Sequence, residues 1–413
     1  MRFKKRFFVI IGILFLVSGY LFYSLFLHDV NDPIVKEPDS GEIVSDITTI
    51  EILCAGDVMY HSSQLVAASN GDGSYSFDET FNYIKPYVQD ADLAICNLET
   101  TFSQGPYTGY PSFSTPDNLA KTLKEVGFHV ATTANNHVND RGIFGIDRTL
   151  NVLHQNKLLT SGSRQNSHQQ RWATKLVKGV WMGTLAYTYQ TPSFPGRVSI
   201  NGSFVSDETA LRLNTFGYEE LEKEIIKINE QVALMKEAGI DIVVLSLHWG
   251  EEYQLEANLW QRHMQEALTQ NEDIDIIFGS HPHTLQELEL ADNRVPVFFS
   301  LGNFVSNQRS ETLNNRYTET GAMAKVTLTY DRGYEEITKI AAQAIPTWVE
   351  KYSSNGKDKY FIIPLDDNLA NNPELISSGH VSRAQAAKLD AQELLTNLSV
   401  ESVLVEEQTE END

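Results

Sequence analysis

Cysteine is nearly absent from this chain: Cys54 and Cys96 are the two among 413 residues. A secreted scaffold stapled by disulfides needs more, and no C-x-x-C spacing exists to hold zinc. The pair reads as two small buried thiols, although an oxidising compartment would also permit one disulfide between them. Basic residues are scarce as well. Lys and Arg total 32 against 55 Asp and Glu, for a formal net charge of −23. A surface this acidic repels nucleic acid and sets DNA and RNA aside as partners. It would repel any other polyanion too, unless metal ions or a local Arg/Lys cluster supplied positive charge. No internal repeat is present. What remains is ordinary for a globular protein with a sizeable core: 41% hydrophobic and 21% charged residues.

An apolar run lies at the start. Arg2, Lys4, Lys5 and Arg6 precede residues 7–27, which carry no charge and are just long enough to span a bilayer. Basic residues stay on the cytoplasmic side, so the rest of the chain is expected outside the membrane. A cleaved signal peptide is the alternative. It favours a shorter apolar core and a small-x-small cleavage site, whereas this run ends in Tyr20, Phe22, Tyr23 and Phe26. No Cys follows the run to accept a lipid. Residues 1–28 are thus expected to form a basic stub and a single-pass transmembrane anchor in the cell membrane. Residues 29–48, polar and with Pro33 and Pro38, read as a linker.

From residue 49 short apolar runs alternate with longer amphipathic ones. Strands are expected at 50–55, 93–97, 130–133, 181–186, 242–247, 274–278 and 297–300. Helices are expected at 77–88, 116–126, 145–155, 218–238 and 257–270. The alternation predicts a layered α/β fold with at least part of its sheet parallel. Residues 322–330 and 336–342 suggest a closing antiparallel pair, and 192–208 an inserted loop. The main domain is expected over 49–347, with a C-terminal extension over 348–413 that ends in an acidic, frayed tail.

Six segments carry chemistry, most of them just after an expected strand. They are CAGDVMYH with Asp57 and His61, CNLET with Asn97 and Glu99, TANNHVNDRG with Asn135, Asn136 and His137, LSLHWGEEY with His248, FGSHPHTLQ with His281 and His283, and FFSLGNF with Asn303. In an open α/β sheet, functional groups collect beyond the carboxyl ends of the strands. A lone His after a strand is more often a hydrogen-bonded loop residue than a ligand, and an Asp there is usually a helix cap. Three His, two carboxylates and an Asn at successive strand ends form a joint pattern that chance rarely supplies. His and carboxylate donors suit Mn, Zn or Fe ions. The stiff H-P-H turn can aim two imidazoles at neighbouring ions. Trp249, Glu251, Glu252 and Tyr253 follow His248 and are read either as a cleft lining or as a packed aromatic loop. Asn303 either supports a ligand or holds a turn.

Together GDVM, NLE, NNH, HWGEEY, GSHPHTLQ and SLGNF resemble the CapA family of poly-γ-glutamate capsule synthesis proteins, called PgsA in some bacteria, over roughly residues 50–347. That family is related to the calcineurin-like metallophosphoesterases. The resemblance therefore implies a four-layer α-β-β-α sandwich around a dinuclear metal centre. It also implies roles. Asp57 matches the first-strand aspartate on one ion, and Glu99 the bridging aspartate, with Asn97 beside it. Asn136, His248 and His281 match ligands of the second ion, and His283 a ligand of the first. His137 matches the histidine that acts as an acid or orients phosphate. The chain departs from the pattern at Met59, which stands where D-x-H would place a histidine. His61 either substitutes for that ligand or faces solvent. Glu99 adds a methylene to the bridge.

With ions bound, Asp57 and His137 would be the catalytic pair, and Asn97, Asn135, Arg141, Trp249, Glu251, Tyr253 and Asn303 the candidates for touching substrate. One divalent ion is expected at the second position and another at the first if His61 or its neighbours complete it. Three functions are compatible with this. The chain is a capsule-machinery component that meets an anionic polymer such as poly-γ-glutamate alongside membrane-bound synthetase subunits. Otherwise it is a free-standing envelope metallohydrolase that cuts a phosphoester or amide, or a scaffold that keeps a metal site without turnover. Arg141, beside NNH, is a candidate for part of the positive focus that the polymer would need.

Overall fold

The computed structural model describes residues 44–192 and 196–405. The expected anchor (1–28), most of the linker and the last residues of the acidic tail lie outside the described residues. Among the described residues no helix is long and apolar enough to cross a membrane.

The first half alternates as expected. β1 (Ile47–Val58) leads to α1 (Ser62–Ala68), β2 (Leu93–Leu98), α2 (Asn118–Val126), β3 (Val130–Thr132), α3 (Gly142–Gln155) and β4 (Leu159–Ser161). β2 is buried end to end, as a strand covered on both faces must be. The helix expected over 77–88 is broken into a 3-10 turn, Asp78–Phe81, and a short helix, Lys85–Asp90. Pro86 explains the break: its ring has no N–H to continue a helix but is tolerated in a first turn.

The second half adds β5 (Trp172–Val177), β6 (Val180–Tyr189), β7 (Thr215–Phe216), α4 (Leu221–Glu237), β8 (Ile242–His248), α5 (Leu259–Thr269), β9 (Ile276–Ser280), β10 (Leu288–Ala291) and β11 (Val295–Phe298). β5 was not expected. It joins β6 through Lys178 and Gly179, at φ 49° and 84°. Both central residues thus have positive φ, as a two-residue primed turn requires. Lys-Gly is a weak sequence signal for such a turn. The span read as an inserted loop, 192–208, holds a small hairpin, Ser199–Ile200 against Ser203–Phe204.

The chain then returns to the first sheet with β12 (Asn303–Val305), β13 (Thr320–Asp331), β14 (Glu336–Ser354), β15 (Lys357–Pro364), α6 (Val381–Leu394) and β16 (Ser399–Val403). β14 runs straight through position 347, where the main domain was expected to end. β15 and β16 both pair with it.

Two mixed sheets result. One has the order β15-β14-β13-β1-β2-β3-β4, with β12 also on β1 and β16 on β14. The other has the order β10-β11-β9-β8-β6-β5, with β7 on β6. Ile52, Cys54 and Ile95 of the first sheet share one buried cluster with Met182, Val244 and Phe278 of the second. The sheets therefore face each other. On its other side the first sheet packs Leu53 and Cys96 against Leu119, Leu123 and Leu153 of α2 and α3. On the second sheet Gly183 lies directly under Met235 of α4. The layering is helix, sheet, sheet, helix. Side chains alternate faces along a strand. Cys54 thus points to the inner core and Cys96 to the outer one, so the disulfide left open above does not form, and both thiols are free.

Candidate metal centre

The carboxyl ends of β1, β2, β3, β8 and β9 converge. Asp57 is near the end of β1, Glu99 just past β2, Asn136 and His137 in the turn after β3, His248 last in β8, and His281 and His283 after β9. Gly56 makes the convergence tight. A Cβ there would sit 2.2 Å from the Gly302 carbonyl oxygen. Its absence lets β12 lie against β1, where Asp57 N–H donates to that oxygen at 3.0 Å and Asn303 pairs in register with Asp57. The glycines of CAGD and SLGNF are thus parts of one close approach.

At the centre, Asp57 accepts from Asn97 Nδ2 at 2.8 Å through Oδ1, and its Oδ2 lies 3.0 Å from His283 Nδ1. Asp57, Glu99 and His283 each hold a donor atom within 4.8 Å of the others, and all three are buried. Glu252, His281 and His283 form a second such group, with Glu252 exposed. Asn136 Oδ1 meets His248 Nε2 at 3.1 Å. Glu99 Oε1 is 3.7 Å from that same Nε2 and 3.9 Å from His283 Nε2. Glu99 therefore stands between the Asp57 side and the Asn136–His248 side.

The electrostatics are unusual for a core. Both Glu99 carboxylate oxygens and His281 Nδ1 are buried without a hydrogen-bond partner. Burial, with the charges of Asp57, Glu252 and Asp140 adding, holds the Glu99 carboxyl well above the usual carboxylate range. Burial first, and then the neighbouring imidazoles, push His248 and His281 well below the usual histidine range, so both rings are neutral. His281 and His283 sit at φ 101° and 56°. Non-glycine residues hold such a conformation only where the surroundings impose it, at roughly 1–3 kcal/mol each. Here Tyr253 N–H clamps the Pro282 carbonyl at 2.7 Å.

Several expected site residues have other duties. His61 caps α1, and its Nδ1 accepts from Asn307 N–H at 3.2 Å. A neutral ring with Nδ1 as acceptor carries its proton on Nε2, which leaves no lone pair for an ion. Burial also lowers its pKa to about 4. In this arrangement His61 stands beside the cluster with Nδ1 engaged by the backbone. Arg141 donates to Thr108 Oγ1 and to the Ser112 carbonyl and so braces a loop, while both acceptors are neutral and leave its charge uncompensated. Trp249 is fully buried, donates to the Phe299 carbonyl at 2.8 Å and stacks on Phe299. It is core, not cleft. Glu251 is exposed, and its charge acts on the Tyr218 hydroxyl. Asn135 ties its own turn to the Leu98 carbonyl and to Asn97. Asn303 donates to Gln308 and to the Thr318 carbonyl. Of the HWGEEY residues after His248, Glu252 and Tyr253 stay close: a Glu252 oxygen lies within 4.8 Å of donor atoms of His281 and His283, and the Tyr253 ring is 6.2 Å from that of His283.

Sequence reasoning passed over Asp140. Its Oδ2 accepts from Phe113 N–H at 2.6 Å and lies 2.9 Å from His137 Nδ1. A carboxylate can only accept, so His137 carries a proton on Nδ1 and keeps a lone pair on Nε2. The i, i+3 spacing in HVND was the available signal. Tyr189 was also missed: its ring lies 4.7 Å from that of His281.

The donor set fits a divalent cation. It consists of carboxylates and neutral imidazoles, some of whose atoms are buried with no other partner, and such donors take Mn, Zn or Fe. Among known proteins, the family model described as Bacterial capsule synthesis protein PGA_cap matches residues 51–308. The chain is 28% identical over 269 residues to the capsule biosynthesis protein CapA of Bacillus anthracis, covering 61% of this chain and 59% of that protein. It is 30% identical over 244 residues to the PGA biosynthesis protein CapA of Bacillus subtilis, covering 56% of this chain and 57% of that one. The match thus spans less than two thirds of either relative. A solved calcineurin-like phosphoesterase, YfkN of Bacillus subtilis, aligns with a TM-score of 0.41 at 13% identity, covering 84% of this chain and 99% of that one.

Proposed function

Because the chain belongs to the bacterial capsule synthesis protein family PGA_cap, we propose that it serves the synthesis or export of a poly-γ-glutamate capsule. In this reading residues 1–28 anchor it in the cell membrane and the described domain lies outside, beside membrane-bound synthetase subunits. The domain is of the calcineurin-like metallophosphoesterase type. The observation that carries a metal-dependent role is Glu99: a fully buried carboxylate with both oxygens unpartnered, placed between Asp57 with His283 on one side and Asn136 with His248 on the other. Burying such a charge is costly unless a cation meets it. Divalent ions there supply positive charge and Lewis-acid polarisation of a substrate oxygen.

The remaining roles belong to the chain's own groups. Asn97 fixes the Asp57 carboxylate, and Ser280 Oγ, 2.9 Å from His248 Nδ1, orients that ring. His137, held by Asp140 through Nδ1–H, presents an Nε2 lone pair that can take a proton from a nucleophile and then pass that proton to a leaving group. A free-standing envelope metallohydrolase is the second reading, favoured by this His137–Asp140 pair. A scaffold without turnover has no need of it.

Metal analysis of the purified full-length chain tests the proposal. Wild type should carry Mn, Zn or Fe, and His283→Ala and Glu99→Gln should each lose at least about tenfold in metal affinity. The same variants should fail to restore capsule to a capsule-negative strain at normal protein levels. A metal-free wild type, or full capsule from both variants, would overturn the reading. Capsule intact in His137→Ala but lost in His283→Ala would leave a metal-dependent scaffold.

A further inference from the structure

A cavity of about 230 Å³ lies between α1 and the start of β15, lined among others by Tyr60, Gln64, Phe77, Lys357 and Lys359. We propose that it is a second binding site, for a free carboxylate with its adjoining methylenes, such as one glutamyl unit. Naming the glutamyl unit rests on the capsule reading; the carboxylate class does not.

Two buried groups point to a ligand. Gln64 is 1% exposed, and its Nε2 has no hydrogen-bond partner. Its orientation is fixed, because Oε1 accepts from His61 N–H at 2.9 Å in the capping box of α1. An acceptor is required there, so the amide cannot be turned over, and the NH2 must face away from the cap. Tyr60 is also 1% exposed, with its ring edge-on to Phe77 at 4.6 Å, and its hydroxyl, beside the Thr80 side chain and the Asp78 charge, makes no well-formed hydrogen bond among the described residues. A buried donor left unmade costs about 1–3 kcal/mol. Two in one cavity call for an acceptor, and the volume admits a small organic acid as well as water.

The rim offers an ammonium group. Lys357 Nζ reaches only the Ser69 carbonyl, at 2.9 Å. Lys359 sits loosely, 3.9 Å from Glu79. The other carboxylate on the rim, Asp358, is taken by Ser353 Oγ and by Lys351 at 3.3 Å. Two lysines and two carboxylates thus line the cavity, but Lys351 from outside takes up Asp358, which leaves Lys357 without a carboxylate partner among the described residues, in a chain whose net charge is −23. Ala67, Ala68 and Phe77 supply apolar wall for methylenes. α1 joins this cavity to the metal centre: its cap, His61, shares the Phe113 ring with His137, at centroid distances of 5.3 and 4.6 Å.

Calorimetric titration of the full-length chain in detergent tests the site, with L-glutamate, glutarate, a short γ-glutamyl oligomer and inorganic phosphate as probes. Gln64→Glu keeps the capping acceptor and replaces the NH2 with an oxygen. Tyr60→Phe removes one hydroxyl. Saturable carboxylate binding, weakened about tenfold or more by Gln64→Glu and several-fold by Tyr60→Phe with unchanged melting, is expected. Binding of the small acids should persist in His283→Ala. No carboxylate binding, binding indifferent to both cavity variants, or binding of phosphate alone would overturn the proposal. If glutamate and glutarate bind but the oligomer does not, the cavity site stands and the capsule polymer as its ligand falls. If oligomer binding is lost in His283→Ala yet kept in Gln64→Glu, the metal centre takes the polymer and the cavity proposal falls.

Discussion

At the scale of single residues, the site divides into groups that would touch an ion and groups that hold them. Asp140 is the clearest of the second kind. It fixes the proton of His137 on Nδ1 through a 2.9 Å contact while its other bond, from Phe113 N–H, closes the loop above it. Both bonds end on the same oxygen, Oδ2, so Asp140→Ala leaves Phe113 N–H without its acceptor and His137 without the group that fixes its Nδ1 proton. Capsule output should fall about 10–100-fold with metal content unchanged. Equal loss of metal would mean that Asp140 merely holds the fold, and unchanged capsule would remove His137 from the chemistry. Much of this site was legible because strand ends are where such residues gather: Asp57, Glu99, Asn136, His248, His281 and His283 do come together. Trp249 and Glu251 did not follow, for one reason. Each neighbours a site residue in sequence, but only packing decides whether its side chain turns inward, outward or back onto the backbone. Asp140 was hidden because an Asp in a turn reads as a cap.

At the scale of elements, alternation of apolar and amphipathic runs located β1, β2, β3, β8 and α2 to α5 well. It failed where a turn or a proline ruled, at the Lys178–Gly179 hairpin and at Pro86. The start of β3 shows how far such a join can matter. His129 N–H donates to the Ala94 carbonyl at 2.8 Å, and His129 Nδ1 accepts from Ala94 N–H at 3.0 Å. The ring must stay neutral to accept. Burial, with Lys175 and Lys124 adding, lowers its pKa to about 4. A histidine whose folded pKa is depressed binds its proton more readily when unfolded. Its contribution is therefore complete above the ordinary value near 6.5 and is lost as pH falls toward 4. Allowing for partial exposure, the loss should be about 2 kcal/mol. His129→Gln, which keeps an acceptor without the titration, should flatten that part of the curve. Urea unfolding of both proteins at about pH 7.5 and about pH 5 measures it. Identical pH dependence in the two would sink the assignment.

At the scale of the whole molecule, charge sets the terms on which a polymer can approach. A chain of net charge −23 repels a polyanion over roughly 10 Å at ordinary ionic strength. Arg141 keeps its charge, because the Thr108 hydroxyl and the Ser112 carbonyl that hold it are neutral, so in the proposed reading the positive focus would come from Arg141, from ions at Glu99 and from Lys357. Attraction of this kind is short in range, and the repulsion is long. Added salt screens the long-range part first. Proteins that bind polyanions through broad basic surfaces lose affinity steeply as salt rises. This chain should do the opposite over the lower range: binding of poly-γ-glutamate should hold or strengthen between about 20 and 150 mM NaCl. Chelation of divalent ions should weaken it at any salt, and should also lower the melting temperature, because ions that bind only the folded state stabilise it by mass action. Polymer binding to the full-length chain, followed across salt with and without chelator, separates the two cases. A steep loss of affinity with salt, untouched by chelator, would mean that a dedicated basic surface exists and that the metal centre is not where the polymer is held.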